Sequence, residues 1–111
     1  MDFASLPHRF GERDAIGDLR TAEDGLEPEQ AGTQSWRIAG RVLGRRGQGG
    51  VSFIDLEDMS GRVQLLADLE QLGEEAFEQV RSVSIGDLIG VVGTATRTRR
   101  GELSVKVAEW V

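Results

Sequence analysis

The residues with the widest chemical reach in this chain are a phenylalanine, a glutamine and a set of arginines. Phe53 lies in "GVSFIDL" (Gly50–Leu56), where β-branched and aromatic residues alternate with smaller or polar ones, the mark of a strand. Successive side chains of a strand point to opposite faces. Ser52, Ile54 and Leu56 therefore share one face, and Val51, Phe53 and Asp55 share the other. Ile54 and Leu56 claim the core, which leaves Phe53 beside an aspartate on the face that meets water. The same alternation sets Arg37, Arg41, Arg45, Arg62 and Gln64 opposite the core on neighbouring segments. A ring in that position stacks on an unpaired base for roughly 1–3 kcal/mol. Arginine meets phosphate with a planar fork and also stacks on bases. A glutamine amide both donates to and accepts from one base edge, so it can tell one unpaired base from another. The combination points to single-stranded nucleic acid. Two plainer readings stay open at this point: a bulge could turn Phe53 inward, and the arginines could be solvated surface charge.

The elements that would carry these residues follow from periodicity. Residues 36–43 alternate as a first strand, and "GRRGQGG" (Gly44–Gly50) has the composition of a turn. Val51–Glu57 is the second strand, "DMSG" (Asp58–Gly61) a hairpin turn, and Arg62–Ala67 the third strand. Over Asp68–Val83 the period changes to three and four, with Leu69, Leu72, Ala76, Phe77 and Val80 on one side and acids between them, which predicts an amphipathic helix. Leu88–Thr96 and Leu103–Trp110 are the fourth and fifth strands, joined across "RTRRGE". Five strands with a helix between the third and fourth is the arrangement of a mainly-β, Greek-key OB-fold barrel. Residues 1–35 form a lead-in, with a short helix predicted near Asp14–Glu23, N-capped by Asp14. Residues 36–111 form the barrel.

Totals narrow the function. At 111 residues, 39% hydrophobic and 29% charged, the chain suits one globular domain. No apolar run is long enough to span a membrane, and the polar N-terminus has no signal-peptide pattern, so a cytoplasmic location is expected. With no cysteine there is no disulfide, zinc knuckle or thiol nucleophile. The net charge of −6 argues against nucleic acid until its distribution is read. Residues 1–35 hold eight acids against three arginines, and five of the remaining eleven acids crowd into Asp68–Glu78. The bases cluster instead at Arg37, Arg41, Arg45 and Arg46, and at Arg97, Arg99 and Arg100. Asp55, Glu57 and Asp58 read as a charged strand end and turn rather than a metal site. His8, the single histidine, is expected to have no catalytic role.

"WRIAGRVLGRRGQGGVSFIDLEDMSGRVQLL" and "GDLIGVVGTATRTRRGELSVKV" resemble the anticodon-binding OB domain of the class II aminoacyl-tRNA synthetases that charge lysine, aspartate and asparagine. The shared features are a Gly-Arg-Val strand, an Arg-Arg turn, Phe-x-x-Leu-x-Asp, Gly-x-x-Gln and Gly-Glu-Leu-Ser. "LPHRFGERDAIGDLR" (Leu6–Arg20) is similar to the lysyl type, with Leu6 where that type carries tyrosine.

This resemblance implies that Phe53 stacks on the middle anticodon base and Gln64 bonds its edge. It places Arg46 at a base or phosphate beside them and Glu102 at a flanking base. It implies a lysine tRNA anticodon loop as partner, with ATP and magnesium held by a catalytic domain that this sequence does not contain. The chain itself is expected to hold no cofactor, to catalyse no aminoacylation, and to be a monomer or weak dimer. Its stop at Val111, near the edge of the family's barrel, favours a piece of a full lysine–tRNA ligase. The contrasting expectation is a stand-alone OB module that binds a protein or single strands without anticodon readout, with the acidic face Glu70, Glu74, Glu75 and Glu78 turned to a basic partner.

Overall fold

A computed structural model describes residues 13–110. His8 and the Leu6–Phe10 segment lie outside the described residues. The chain runs α1 (Ile16–Ala22), β1 (Ala31–Gln48), β2 (Val51–Asp58), β3 (Gly61–Asp68), α2 (Leu69–Leu72), α3 (Glu74–Arg81), β4 (Leu88–Arg97) and β5 (Leu103–Trp110). The strands close into a barrel in the order β1-β2-β3-β5-β4, with only the β3–β5 pair parallel. The mainly-β barrel with a helical connection after the third strand is thus the one its periodicities predict. Alternate residues of every strand fill the interior, among them Ile38, Val42, Ile54, Leu56, Leu65, Val91 and Val105, each almost fully buried. Among the described residues, no helix is long and apolar enough to cross a membrane.

The first strand is longer than alternation indicated. It spans 18 residues, because its first half pairs with β4 and its second half with β2. The segment expected to be a turn, Gly44–Gly50, is mostly strand. Its glycines mislead because a bent, bulged strand tolerates them as readily as a turn does. The true turn is confined to Gly49 and Gly50, where Gly49 takes a positive φ of 62°. The predicted helix over Asp68–Val83 is two short ones, broken at Gly73, whose φ of 87° is left-handed.

Seven residues are too few for a helix to persist alone. α1 persists because Ile16 and Leu19 are fully buried against the barrel. Its cap is also tertiary. Ala15 occupies the N-cap position and offers no side-chain acceptor. The Ile16 N–H donates instead to Asp58 Oδ2 at 2.9 Å, and the Gly17 N–H to Ser60 Oγ at 2.8 Å. Asp14, expected to be the cap, accepts the Arg37 backbone N–H at 2.9 Å and so ties the lead-in to β1. At the other end of the helix, Trp36 Nε1 donates to Glu23 Oε2 at 2.8 Å. Asp58 meanwhile holds its own turn, its Oδ1 accepting from the Ser60 N–H, the Ser60 hydroxyl and the Gly61 N–H.

Replacing Asp58 with alanine is expected to cost about 1–2 kcal/mol, the range for a lost cap. Urea unfolding followed by Trp36 fluorescence should show an earlier midpoint for Asp58→Ala. An unshifted midpoint would mean that the hairpin turn does not cap α1.

Candidate nucleic-acid interface

The site is built on the outer face of β1, β2 and β3, and a β-bulge decides its membership. In the β1–β2 ladder Val42 faces Leu56, but the next pair is Gly44 with Asp55, so Leu43 is an extra residue. Beyond the bulge the parity of β1 reverses. Arg46 now lies opposite Phe53, and Arg45 opposite the buried Ile54. Simple alternation had assigned the outer face to Arg45. The structure sends the Arg45 guanidinium to the Arg81 carbonyl at the end of α3 and sets Arg46 beside Phe53 instead.

Cross-strand rows then order the face. Arg41, Glu57 and Arg62 form one row, with Arg62 bonded to Glu57 at 2.9 Å. Gly44, Asp55, Gln64 and Ser104 form the next, and Arg46, Phe53, Leu66 and Lys106 the third. Arg37 sits on the part of β1 that pairs with β4, outside this three-strand face. Phe53 points outward and is half-buried, as its pairing with Asp55 on one face predicted. The Arg46 Cζ lies 5.6 Å from the centre of the Phe53 ring, within cation–π range.

Arg46 is the hub of the polar contacts. It donates to Asp55 Oδ2 at 3.1 Å and to Gln64 Oε1. Gln64 Nε2 donates in turn to Ser104 Oγ at 2.9 Å, and the Ser104 hydroxyl donates to the Glu102 carbonyl at 3.3 Å. A cleft of about 700 Å³ opens above Phe53, Arg46 and Gln64, walled by the β4–β5 loop from Thr98 to Glu102. A second cleft of about 720 Å³ lies alongside, reaching Arg20, Asp55 and Arg62. Arg46, Gln64 and Glu102 border both. The face therefore offers two adjoining compartments, with a guanidinium, an amide and a carboxylate at their boundary and the Phe53 ring within the first. Such a surface can take successive bases of a single strand together with their phosphates.

The β4–β5 loop is fixed by a residue that composition alone grouped with the ligand-binding bases. Arg97 donates to the carbonyls of Leu26 at 2.6 Å, Gly101 at 2.8 Å and Asp24 at 3.1 Å. It fastens the loop to itself and to the lead-in. Arg99, by contrast, is largely exposed and pairs with Glu29 at 3.5 Å, and Arg100 is exposed on the cleft wall. The acids of the Asp55–Asp58 cluster are each engaged, with Arg46, with Arg62 and at the α1 cap. Among the described residues, no three acids or histidines converge as a metal site. Sequence reasoning overlooked Ser104, and nothing local marks it. Its partner Gln64 is 40 residues away, across the parallel seam.

A closed five-stranded barrel with an aromatic and basic outer face defines an OB-type binder of nucleic acid. The chain belongs to the tRNA anti-codon family, an OB-fold nucleic acid binding domain, whose model matches residues 36–111. Among curated proteins, it is 37% identical over 107 residues to the lysine–tRNA ligase of Azoarcus sp. (strain BH72), covering 95% of this chain and 21% of that protein. It is 44% identical over 103 residues to the lysine–tRNA ligase of Synechococcus sp. (strain RCC307), covering 92% of this chain and 20% of the relative. The lysine–tRNA ligase of Xylella fastidiosa (strain M12) is 44% identical over 81 residues, 73% of this chain and 16% of that one. The chain thus spans about a fifth of the length of these relatives.

Arg97→Ala is expected to cost about 2–3 kcal/mol, because a charged donor to three carbonyls is lost. Arg99→Ala, at an exposed ion pair, should change stability by no more than about 0.5 kcal/mol. Denaturant midpoints of the two variants measure the difference, and hydrogen exchange in residues 98–102 should quicken only in Arg97→Ala. Equal midpoints would show that Arg97 does not fasten the loop.

Proposed function

We infer that this domain reads the anticodon loop of a lysine tRNA as part of a longer lysine–tRNA ligase. The observation that carries this reading is the position of Phe53. Its ring floors an open cleft on the outer face, between a guanidinium and a glutamine amide, when an apolar ring would otherwise be driven into the core. A stacked base is the partner that this ring lacks. In this reading the middle base of the anticodon, a uridine in lysine tRNAs, lies on Phe53 and presents its edge to Gln64. Arg46 holds the adjoining phosphate or base. Glu102, shared by the two clefts, meets a flanking base, and the exposed loop arginines attract the backbone.

Activation of the amino acid, with ATP and magnesium, belongs in this reading to the remainder of the ligase. The domain's part is to select the tRNA in the cytoplasm and to hold it while the acceptor end reacts elsewhere. A second grip on the acceptor end raises the effective concentration at this site, so the isolated domain needs only micromolar affinity or weaker, about −8 kcal/mol or less in magnitude. Alone, the domain is a monomer or a weak dimer, which sedimentation would check.

Titration with a lysine anticodon stem-loop, beside one with its middle uridine replaced, tests the assignment. The native loop should bind more tightly and shift the NMR signals of β1, β2 and β3. Phe53→Ala should lose about 1–3 kcal/mol of binding, roughly 5- to 150-fold, with the fold intact. Equal binding of both loops would reduce the domain to a backbone binder, and no binding at low salt would reject the reading.

A further inference from the structure

Gln64 can discriminate between bases only if its amide is held one way round. Uridine offers an acceptor at position 4 followed by a donor at N3. Cytidine offers the reverse, a donor at position 4 followed by an acceptor at N3. An amide presenting N–H and then C=O along that edge matches one of them; turned over, it matches the other. With the base fixed in one orientation on Phe53, a half-turn of the Gln64 amide converts a uridine reader into a cytidine reader. A glutamine amide in open solvent takes either orientation.

The structure removes that freedom from two sides. Arg46 can only donate, so the atom facing it has to be Oε1. On the other side stands Ser104, whose side chain is fully buried. The Ser104 hydroxyl proton is committed to the Glu102 carbonyl, itself acceptor-only, so Ser104 presents a lone pair to Gln64 and demands Nε2 there. Donors and acceptors along Arg46, Gln64, Ser104 and Glu102 therefore run in one direction. Reversing the amide would set Nε2 against a guanidinium, and Oε1 could take a proton from Ser104 only if that hydroxyl let go of the Glu102 carbonyl. Gln64 is only 7% exposed, so water does little to relieve either.

We propose that Ser104 is a positioning residue for base choice: its buried hydroxyl fixes the orientation of the Gln64 amide and thereby excludes the wrong pyrimidine. The same hydroxyl holds the Glu102 backbone, so one side chain aligns the groups at the boundary of the two clefts. This assignment rests on the anticodon-reading function above. It adds that specificity depends on a residue sealed beneath the surface, which no base touches.

The test compares two anticodon stem-loops, differing only as uridine or cytidine at the middle position, against the wild-type chain, Ser104→Ala and Ser104→Thr. Wild type should prefer uridine. In Ser104→Ala that preference should fall by about tenfold, mostly through tighter binding of the cytidine loop, while stacking on Phe53 keeps overall affinity within a few fold. Ser104→Thr keeps the hydroxyl and should keep the preference. In the free wild-type chain, the Gln64 side-chain amide protons should be shifted from free-glutamine values and protected from exchange, and Ser104→Ala should return them towards free, fast-exchanging values. A folded Ser104→Ala with the wild-type preference would overturn the proposal and leave anticodon reading intact. A wild-type chain indifferent to the middle base would overturn anticodon reading itself, and this proposal with it. If neither variant folds, the wild-type amide signals decide, and an unprotected pair at free-glutamine shifts would overturn the positioning role.

Discussion

One strand, β1, has to hydrogen-bond to β4 along its first half and to β2 along its second, and the barrel closes only if that strand bends between them. The bend is supplied by the extra residue at Leu43. A bulge sharpens the local twist and offsets the ladder by one. Because side chains alternate with period two, the offset also exchanges inside for outside along the rest of the strand. The geometric requirement of closure and the chemical composition of the outer face are therefore settled at the same place. Arg46 stands over Phe53 because the barrel had to turn a corner three residues earlier.

The lead-in is integrated by the same economy. Ile16 and Leu19 enter the core, but the orientation of their helix is set by Asp58 and Ser60, which also form the β2–β3 turn. Arg97 then connects the lead-in to the β4–β5 loop. The helix, the hairpin turn and the cleft wall thus form one mechanical unit, although they come from three distant parts of the sequence. The acids of the helical connection take no part in it. Glu70, Glu74, Glu75 and Glu78 sit on α2 and α3, outside both clefts, which reconciles an acidic chain with a locally basic face.

What could be read from the sequence was what depends on neighbours in the chain. The alternation in Val51–Glu57 located the outward Phe53, and the change of period after Ala67 located the helical connection. The order of these elements identified the barrel. Features set by distant partners were hidden. The glycines of Gly44–Gly50 look the same in a turn and in a bulged strand, so alternation alone indicates a shorter β1 and sets Arg45, not Arg46, on the outer face. Asp14 has the composition of a cap, but the acceptor that serves α1 lies 42 residues away at Asp58. Ser104 gives no local signal, since its role depends on the register of a parallel pair that only the closed barrel defines.

That parallel pair joins segments 40 residues apart, and it is the shortest ladder of the sheet: Gln64 to Leu66 against Ser104 to Lys106. Contacts that join distant chain segments carry the greater loop-closure cost and depend most on the rest of the structure being in place. The Gln64 amide, which in the proposed reading meets the base, is anchored directly on this seam. In that reading, a barrel whose seam has parted would keep its arginines and its ring, and so its attraction for RNA, but would lose its ability to choose among bases. A ligand that engages the anchored amide acts in the other direction, as a clasp: it binds only the closed form and draws the population towards it. In that reading, selectivity is a property of closure as much as of contact, and a correctly chosen base tightens the structure that chose it.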